Sequence, residues 1–386
     1  MIPKKTYLTR TALYLLLVVL AAVINSFSLK ANNFNNLHQI NVFSMETLAD
    51  STLHEGLAGT FFGKQGNWFI MAGGSSFPYG KPWQGGVKQY SDKVFVFQQQ
   101  SDGSLNIVYE GSDLPVPVAE GSYATIPGGL LCAGGLTPEG ITAKSWLLSY
   151  NGGAVAITEY PALPIPVKNS TATVIGSRVY LVGGELADGN SSNQFLVLDL
   201  SNPGKGWNKL VNFPVSISGA ALISQQYGEE MSLFVFGGRA KVDSGPTAFY
   251  SSVYHFRPST GRWVKKQDIR LKENEGIPLA MATAASVDSS HILLYGGDGG
   301  VVFNQVEHAV NKGDFDERDS LWINHGGFNN KILVYSIITD EWLQAGETMN
   351  PPVAVAANIS DGENVYIVCG EIRPGVRSPY ITRLYR

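Results

Sequence analysis

Two cysteines in 386 residues are too few for a disulfide framework. Cys132 and Cys369 each sit in an apolar run just before a glycine, which suits a buried strand residue better than a bridge. Charge is sparse as well: only 16% of residues are Asp, Glu, Lys or Arg, the net charge is −4, and no run of basic residues occurs. That excludes a global attraction to nucleic acid or to an anionic membrane, so an anionic ligand must be met by local cations. The six histidines (His38, His54, His255, His291, His308 and His325) show no paired ligand spacing, which argues against a metal centre. There is no Gly-x-Ser-x-Gly elbow and no phosphate-cradling glycine loop. Sustained helical periodicity is missing too, so helix content is expected to be low.

What is present is a 44% hydrophobic chain with 43 glycines, a composition that fits a folded globular protein. The N-terminus differs from the rest. Lys4, Lys5 and Arg10 precede an apolar stretch from Ala12 to Ile24, and a polar segment follows from Asn32. This reads as an export signal, short for a bilayer span, where about 20 apolar residues are needed, with an uncleaved anchor as the alternative. The expectation is a signal peptide over 1–31 and one folded unit over 32–386, acting in the periplasm without stable membrane insertion after cleavage.

The rest of the chain repeats. An apolar run ends in a glycine pair at Gly73-Gly74, Gly134-Gly135, Gly183-Gly184, Gly237-Gly238 and Gly296-Gly297, and a sixth copy reads Cys369-Gly370. The spacing scatters around the kelch period of about 50 residues. After each pair come a loop and a second strand-like run: 92–97, 145–150, 194–200, 251–256, 330–335 and 380–385. Three copies add a strand carrying Trp207, Trp263 or Trp342, and small-residue segments such as 56–60 and 280–285 supply an innermost strand. Four strands per unit cannot bury both sheet faces alone, so the units are expected to close radially. The expected fold is all-β, a six-bladed kelch-type β-propeller. The last copy stops after its second run, and a strand over 37–43 is expected to pair with 380–385 and close that blade.

Loops that follow the glycine pairs emerge on one face of such a propeller. They carry Tyr79, Lys81 and Trp83, then Glu139, then Glu185 and Asn193, then Arg239, Lys241 and Tyr250. The fifth is a long insertion over 298–329 with Asn304, Glu307, His308, Asp314, Asp316, Glu317, Arg318 and His325, either a lid or a solvated loop. The sixth is Glu371-Ile372-Arg373-Pro374-Gly375-Val376-Arg377, where the Pro-Gly bend brings a carboxylate and an arginine to one cavity. His54, just before the first inner strand, is a further residue within reach of the channel. Such a site offers cofactor-free acid/base chemistry, with Glu371 as a base kept ionised by arginine. Alternation points Arg373 outward, into a structural role.

The glycine-pair repeats together with "GEIRPGVR" resemble the kelch-type N-acetylneuraminate epimerases, or sialic acid mutarotases. The blade order, with "LHEGLAGTFF…IMAGGSS" first and "VYIVCGEIRPGVR" last, resembles their cyclically permuted group. The resemblance implies an isomerase without cofactor that interconverts the α and β anomers of a small sugar acid. It implies Glu371 as proton acceptor and Arg377 as the partner of the sugar carboxylate. It also places Asn304, in "GGDGGVVFNQ", and Lys168, in "PVKNSTA", among the substrate contacts. One departure stands out: "FPVSISGA" in the fourth copy lacks the arginine found in that inner strand elsewhere. The competing expectation is a non-catalytic propeller that binds glycans or an exported protein.

Overall fold

The computed structural model describes residues 44–48, 56–242, 245–348 and 351–385. Contacts divide the chain into Met1–Phe43 and Ser44–Arg386, and the second unit is the one described below. The expected signal segment, the strand expected over 37–43, and His54 lie outside the described residues.

Six four-stranded antiparallel sheets follow one another along the chain. Blade 1 holds β2 (Phe61–Gln65), β3 (Trp68–Ala72), β4 (Lys93–Gln99) and β5 (Leu105–Ser112), in that order from the axis outward. Blade 2 repeats the order with β6 (Ser122–Ile126), β7 (Gly129–Ala133), β8 (Ser145–Tyr150) and β9 (Val155–Tyr160). Blade 3 has β10 (Thr171–Ile175), β11 (Arg178–Val182), β12 (Phe195–Asp199) and β13 (Trp207–Lys209). In blade 4 these are β14 (Ala221–Tyr227), β15 (Glu230–Phe236), β16 (Val253–Arg257) and β17 (Arg262–Lys266). Blade 5 comprises β18 (Thr283–Ser286), β19 (His291–Tyr295), β20 (Lys331–Ser336) and β21 (Glu341–Glu347). Blade 6 takes β22 (Ala357–Ser360), β23 (Asn364–Val368) and β24 (Ile381–Tyr385) from the end of the chain.

The fourth strand of blade 6 comes from the other end. β1 (Ser44–Leu48) pairs antiparallel with β24, from Ser44 opposite Tyr385 to Leu48 opposite Ile381. Closure by an N-terminal strand therefore holds, and the strand that makes it begins one residue after the stretch expected to do so. It covers what would otherwise be the open edge of β24.

Alternation along each strand sends neighbouring side chains into different interfaces. Phe61 packs into a cluster with Leu130, Cys132 and Trp146 of blade 2, whereas Phe62 faces Tyr366 and Val368 of blade 6. The core thus lies between blades, and each blade is stable only against its neighbours.

The glycine pairs stitch those interfaces. Gly73 has φ +65°, and a Cβ there would come within 2.3 Å of the Val118 carbonyl oxygen, so only glycine fits. The next amide, Gly74 N–H, donates to that same carbonyl at 2.8 Å. The bond recurs from Gly135 to Val167, Gly184 to Ile217, Gly238 to Leu279, Gly297 to Val353 and Gly370 to Leu57. In blade 6 Cys369 takes the first position at φ +57°. A second ring lies just inside the first. The amides of Gly59, Glu120, Asn169, Gly219, Met281 and Val355 each donate to the carbonyl of the ring residue in the preceding blade, at 2.6 to 3.1 Å, with Gly59 closing onto Val355. All six have left-handed φ, between +52° and +67°.

Candidate active site at the channel mouth

The inner ring divides the axis. On one side the inner strands enclose a cavity of about 460 Å3 lined by small and hydroxyl side chains, among them Thr60, Ser122, Ser170, Ala221, Thr283 and Asn358. On the other side, the residue before each ring position pairs with the residue after a glycine pair: Ala58 with Ser75, Ala119 with Leu136, Lys168 with Glu185, Ser218 with Arg239, Ala280 with Asp298 and Ala354 with Glu371. Six equivalent positions therefore surround the channel mouth, occupied by Ser75, Leu136, Glu185, Arg239, Asp298 and Glu371. Four of them are charged.

Glu371 and Arg377 are direct partners in a short hairpin formed by Glu371–Arg373 and Val376–Arg377. Being opposite each other, they project on one face, and Arg377 Nη1 donates to Glu371 Oε1. Gly375, at φ +76° in the turn, packs against Pro82 of blade 1. The two side chains differ in exposure: that of Arg377 is 3% exposed and that of Glu371 19%. Arg377 also donates through Nε to the Ser75 carbonyl at 3.1 Å, and its guanidinium lies 5.0 Å from the Phe77 ring centre. Burial lowers the Arg377 pKa to about 10, with Glu120 opposing the shift.

Glu120 occupies the inner ring itself and was not singled out from the sequence. Its carboxylate accepts from Lys88 and lies 3.8 Å from Lys168 Nζ, which in turn pairs with Glu185 at 3.0 Å. Burial pushes the Glu120 carboxyl up, and Lys88, Lys168 and Arg377 together pull it below its ordinary value. Lys168, expected as a substrate contact, is thus held between two carboxylates on the floor of the site. Glu120 gave no sequence signal, because it does not follow a glycine pair and the ring position is filled by a different residue type in nearly every blade; Lys88 lies in the loop after Gly73-Gly74 but gains its meaning only from Glu120.

The insertion folds into two helices, α1 (Val301–Lys312) and α2 (Phe315–Ile323), and not into a solvated loop. Asp314 caps α2 by accepting from Glu317 N–H at 2.9 Å, the start of a capping box that is the one local sequence signal of this helix. Gly300, Phe303, Asn304 and Glu307 recur at helical spacing on one face of α1. That face docks on blade 4. Glu307 accepts from Thr247 N–H and Oγ1 at 2.8 and 2.9 Å, Phe303 meets Phe249 edge-on, and Gly300 (φ +85°) leaves room for the Phe249 ring. Asn304 Oδ1 is buried with no hydrogen-bond partner among the described residues. At the other end Arg373 Nη1 donates to the Ile323 carbonyl at 2.9 Å and its guanidinium stacks 5.8 Å from the Trp83 ring centre. It ties the last blade to α2.

Arg239 stands between α1 and the channel, its guanidinium 4.6 Å from the Phe303 ring centre. Burial lowers its pKa, opposed by Glu185, Asp298, Glu120 and Glu307. Of the other sequence candidates, Tyr79 is 84% exposed and Glu139 and His308 are exposed, away from this cluster of buried charges. His255 and His291 lie in β16 and β19, as expected for packing residues.

A six-bladed propeller thus pairs a carboxylate with a buried arginine across one hairpin at the channel mouth, an arrangement open to acid/base chemistry. Residues 160–385 match the family model described as N-acetylneuraminate epimerase, more than half of the chain, and the chain belongs to that family. The matched stretch contains Lys168, Glu185, Arg239, Asn304, Glu371 and Arg377, whereas Lys88 and Glu120 fall outside it. The chain is 28% identical over 251 residues to the N-acetylneuraminate epimerase of Vibrio vulnificus, a match covering 62% of each chain. To that of Brucella melitensis it is 28% identical, covering 62% of this chain and 61% of the relative. For the Haemophilus influenzae epimerase the identity is 28% with 57% of each chain covered. The match thus spans about three-fifths of the length of these relatives.

Proposed function

We propose that this protein is a mutarotase that interconverts the α and β anomers of N-acetylneuraminate. The observation that carries the reading is the Glu371–Arg377 pair, set side by side at the channel mouth within the stretch shared with the epimerase family. Glu371 is the half that reaches solvent, so it can meet a substrate while its pairing with Arg377 fixes its orientation.

In the proposed step Glu371 takes the proton of the anomeric hydroxyl. The electron pair left on that oxygen forms the carbonyl as the bond from the anomeric carbon to the ring oxygen breaks. The ring oxygen takes a proton from water or from a donor in the site. Rotation about the bond beside the new carbonyl presents its other face. Reclosure by the reverse transfers gives the opposite anomer and restores Glu371. The uncatalysed reaction already runs, so general acid/base help of about 10²–10⁴-fold suffices.

Anomer exchange followed by NMR, with and without protein, tests this. Acceleration that disappears in Glu371→Gln, in a variant that remains folded at the assay temperature, is the expected result; exchange unaffected by the native protein refutes the activity. The basic and apolar N-terminal stretch supports a further reading, that the protein works in the periplasm after export, which fractionation of the expressed full chain tests.

A further inference from the structure

We propose that Arg239, stacked on Phe303 of α1, is the residue that receives the substrate's carboxylate, and that Arg377 is confined to positioning Glu371. The inference rests on the mutarotase reading and assigns its anion subsite. Arg377 has little left to offer a ligand: its side chain is 3% exposed, and it already donates to Glu371 and to the Ser75 carbonyl. Arg239 is in the opposite condition. Its guanidinium makes no hydrogen bond and no ion pair among the described residues, although it is only partly exposed and four carboxylates act on it, of which Glu120 is held by Lys88. Each of those acids is engaged elsewhere. Glu185 holds Lys168 at 3.0 Å, Asp298 accepts from Gly300 N–H at 2.8 Å, and Glu307 binds Thr247.

An arginine left without partners in such a setting is unfavourable unless something completes it. Stacking on Phe303 favours one plane for the guanidinium, and its N–H groups have no hydrogen-bond partner among the described residues, so they can take a carboxylate through two parallel hydrogen bonds. The position is also right. Arg239 in blade 4 and Glu371 in blade 6 occupy equivalent slots around one channel mouth, so an anion on Arg239 places the adjoining anomeric centre over the mouth that Glu371 also borders. Asn304, the residue after Phe303, carries a buried Oδ1 with no hydrogen-bond partner among the described residues, an acceptor that a donor group of the ligand would satisfy on reaching it. The ligand class is a sugar carrying a carboxylate with a donor group elsewhere on its frame.

The test separates binding from turnover by using the methyl α-glycoside of N-acetylneuraminate, whose ring cannot open, and the methyl ester of that glycoside, whose carboxylate is blocked. Calorimetric titration of the native protein should favour the acid over the ester by about 10–100-fold, the range of a charge-assisted pair. Arg239→Gln should bring that preference close to one, and Arg239→Lys should recover part of it as a point charge. Arg377→Met should keep the preference while slowing anomer exchange of the free sugar, a fall in kcat with little change in KM. Equal binding of acid and ester by the native protein, or a preference that survives Arg239→Gln or vanishes in Arg377→Met, overturns the assignment. A native protein that binds the acid selectively through Arg239 yet does not accelerate exchange refutes the mutarotase reading and leaves the anion subsite standing.

Discussion

Replacing Glu120 by Gln should destabilise the protein by about 2–3 kcal/mol, most of it through Lys88. The Glu120 side chain is 11% exposed and those of Lys88 and Lys168 are 27% and 18% exposed, so none of the three is freely hydrated. Loss of the carboxylate removes the ion-pair partner that Lys88 has among the described residues, worth about 1.5–3 kcal/mol for a charged hydrogen bond. Lys168 keeps Glu185 at 3.0 Å, and its share is nearer 0.5 kcal/mol. Glu120→Gly should be milder than Glu120→Gln by about 1 kcal/mol, because φ at this position is +62° and glycine relieves the strain. Urea denaturation of Glu120→Gln, Lys88→Met and the double variant forms a cycle with an expected coupling of about 1–3 kcal/mol at pH 7. The Glu120 carboxyl titrates below its ordinary range in the folded state, so this stabilisation is present above that range and is lost as pH falls through the lowered value. Coupling below about 0.5 kcal/mol at pH 7 would refute the reasoning, since the buried triad would then act as independent charges.

Three further outcomes follow from other parts of the molecule. Gly300→Ala should cost about 2 kcal/mol and expose α1 and α2 to limited proteolysis, because its φ is +85° and a Cβ would lie 2.4 Å from the Phe249 ring; a variant with unchanged melting and cleavage pattern contradicts this. His255 is buried against Phe234 and Tyr227, and burial followed by Lys266 and Arg257 lowers its pKa to about 4. The unfolded chain therefore binds the extra proton first, so stability falls as pH drops from about 6.5 towards 4, by roughly 2 kcal/mol, and the fall should shrink in His255→Phe in urea titrations across that range. Glu371→Gln should lower anomer exchange by about 10²–10⁴-fold in a variant that still unfolds cooperatively in urea, at a lower midpoint because buried Arg377 loses its charged partner, and an unaffected rate removes Glu371 from the chemistry.

The propeller was legible because its defining constraint is local. A glycine pair reports a left-handed backbone pressed against a neighbouring carbonyl, and no side chain substitutes for it without strain; Cys369 is the one copy that does. Glu371 and Arg377 were legible for a similar reason, since one tight hairpin carries both. The inner ring was opaque. Its six positions hold Gly, Glu, Asn, Gly, Met and Val, and what they share is a φ value and a hydrogen bond rather than a side chain. Glu120 was hidden in that variety, and with it the partners that occupy Lys168. The closing strand was inferred from the need to cover β24, but such a need does not fix register, and Ser44–Leu48 is the segment that pairs. In the insertion, polar composition masked a one-sided helix whose docking face is itself largely polar or small.

The inner ring also sets an order of assembly. Five of its hydrogen bonds join consecutive blades, and each can form once two neighbouring stretches of chain have folded. The sixth, from Gly59 to Val355, closes a loop of about 300 residues, for which chain entropy alone exacts about 5 kcal/mol. The seam between blades 1 and 6 is therefore the last to zip and the first to open. Until then the molecule is a curved row of sheets with Phe62, Phe69 and Tyr366 facing water. That aromatic cluster, the Gly370 bond to Leu57 and strand β1 converge on the same seam, so the kinetic lifetime of the folded protein is concentrated where its two chain ends meet.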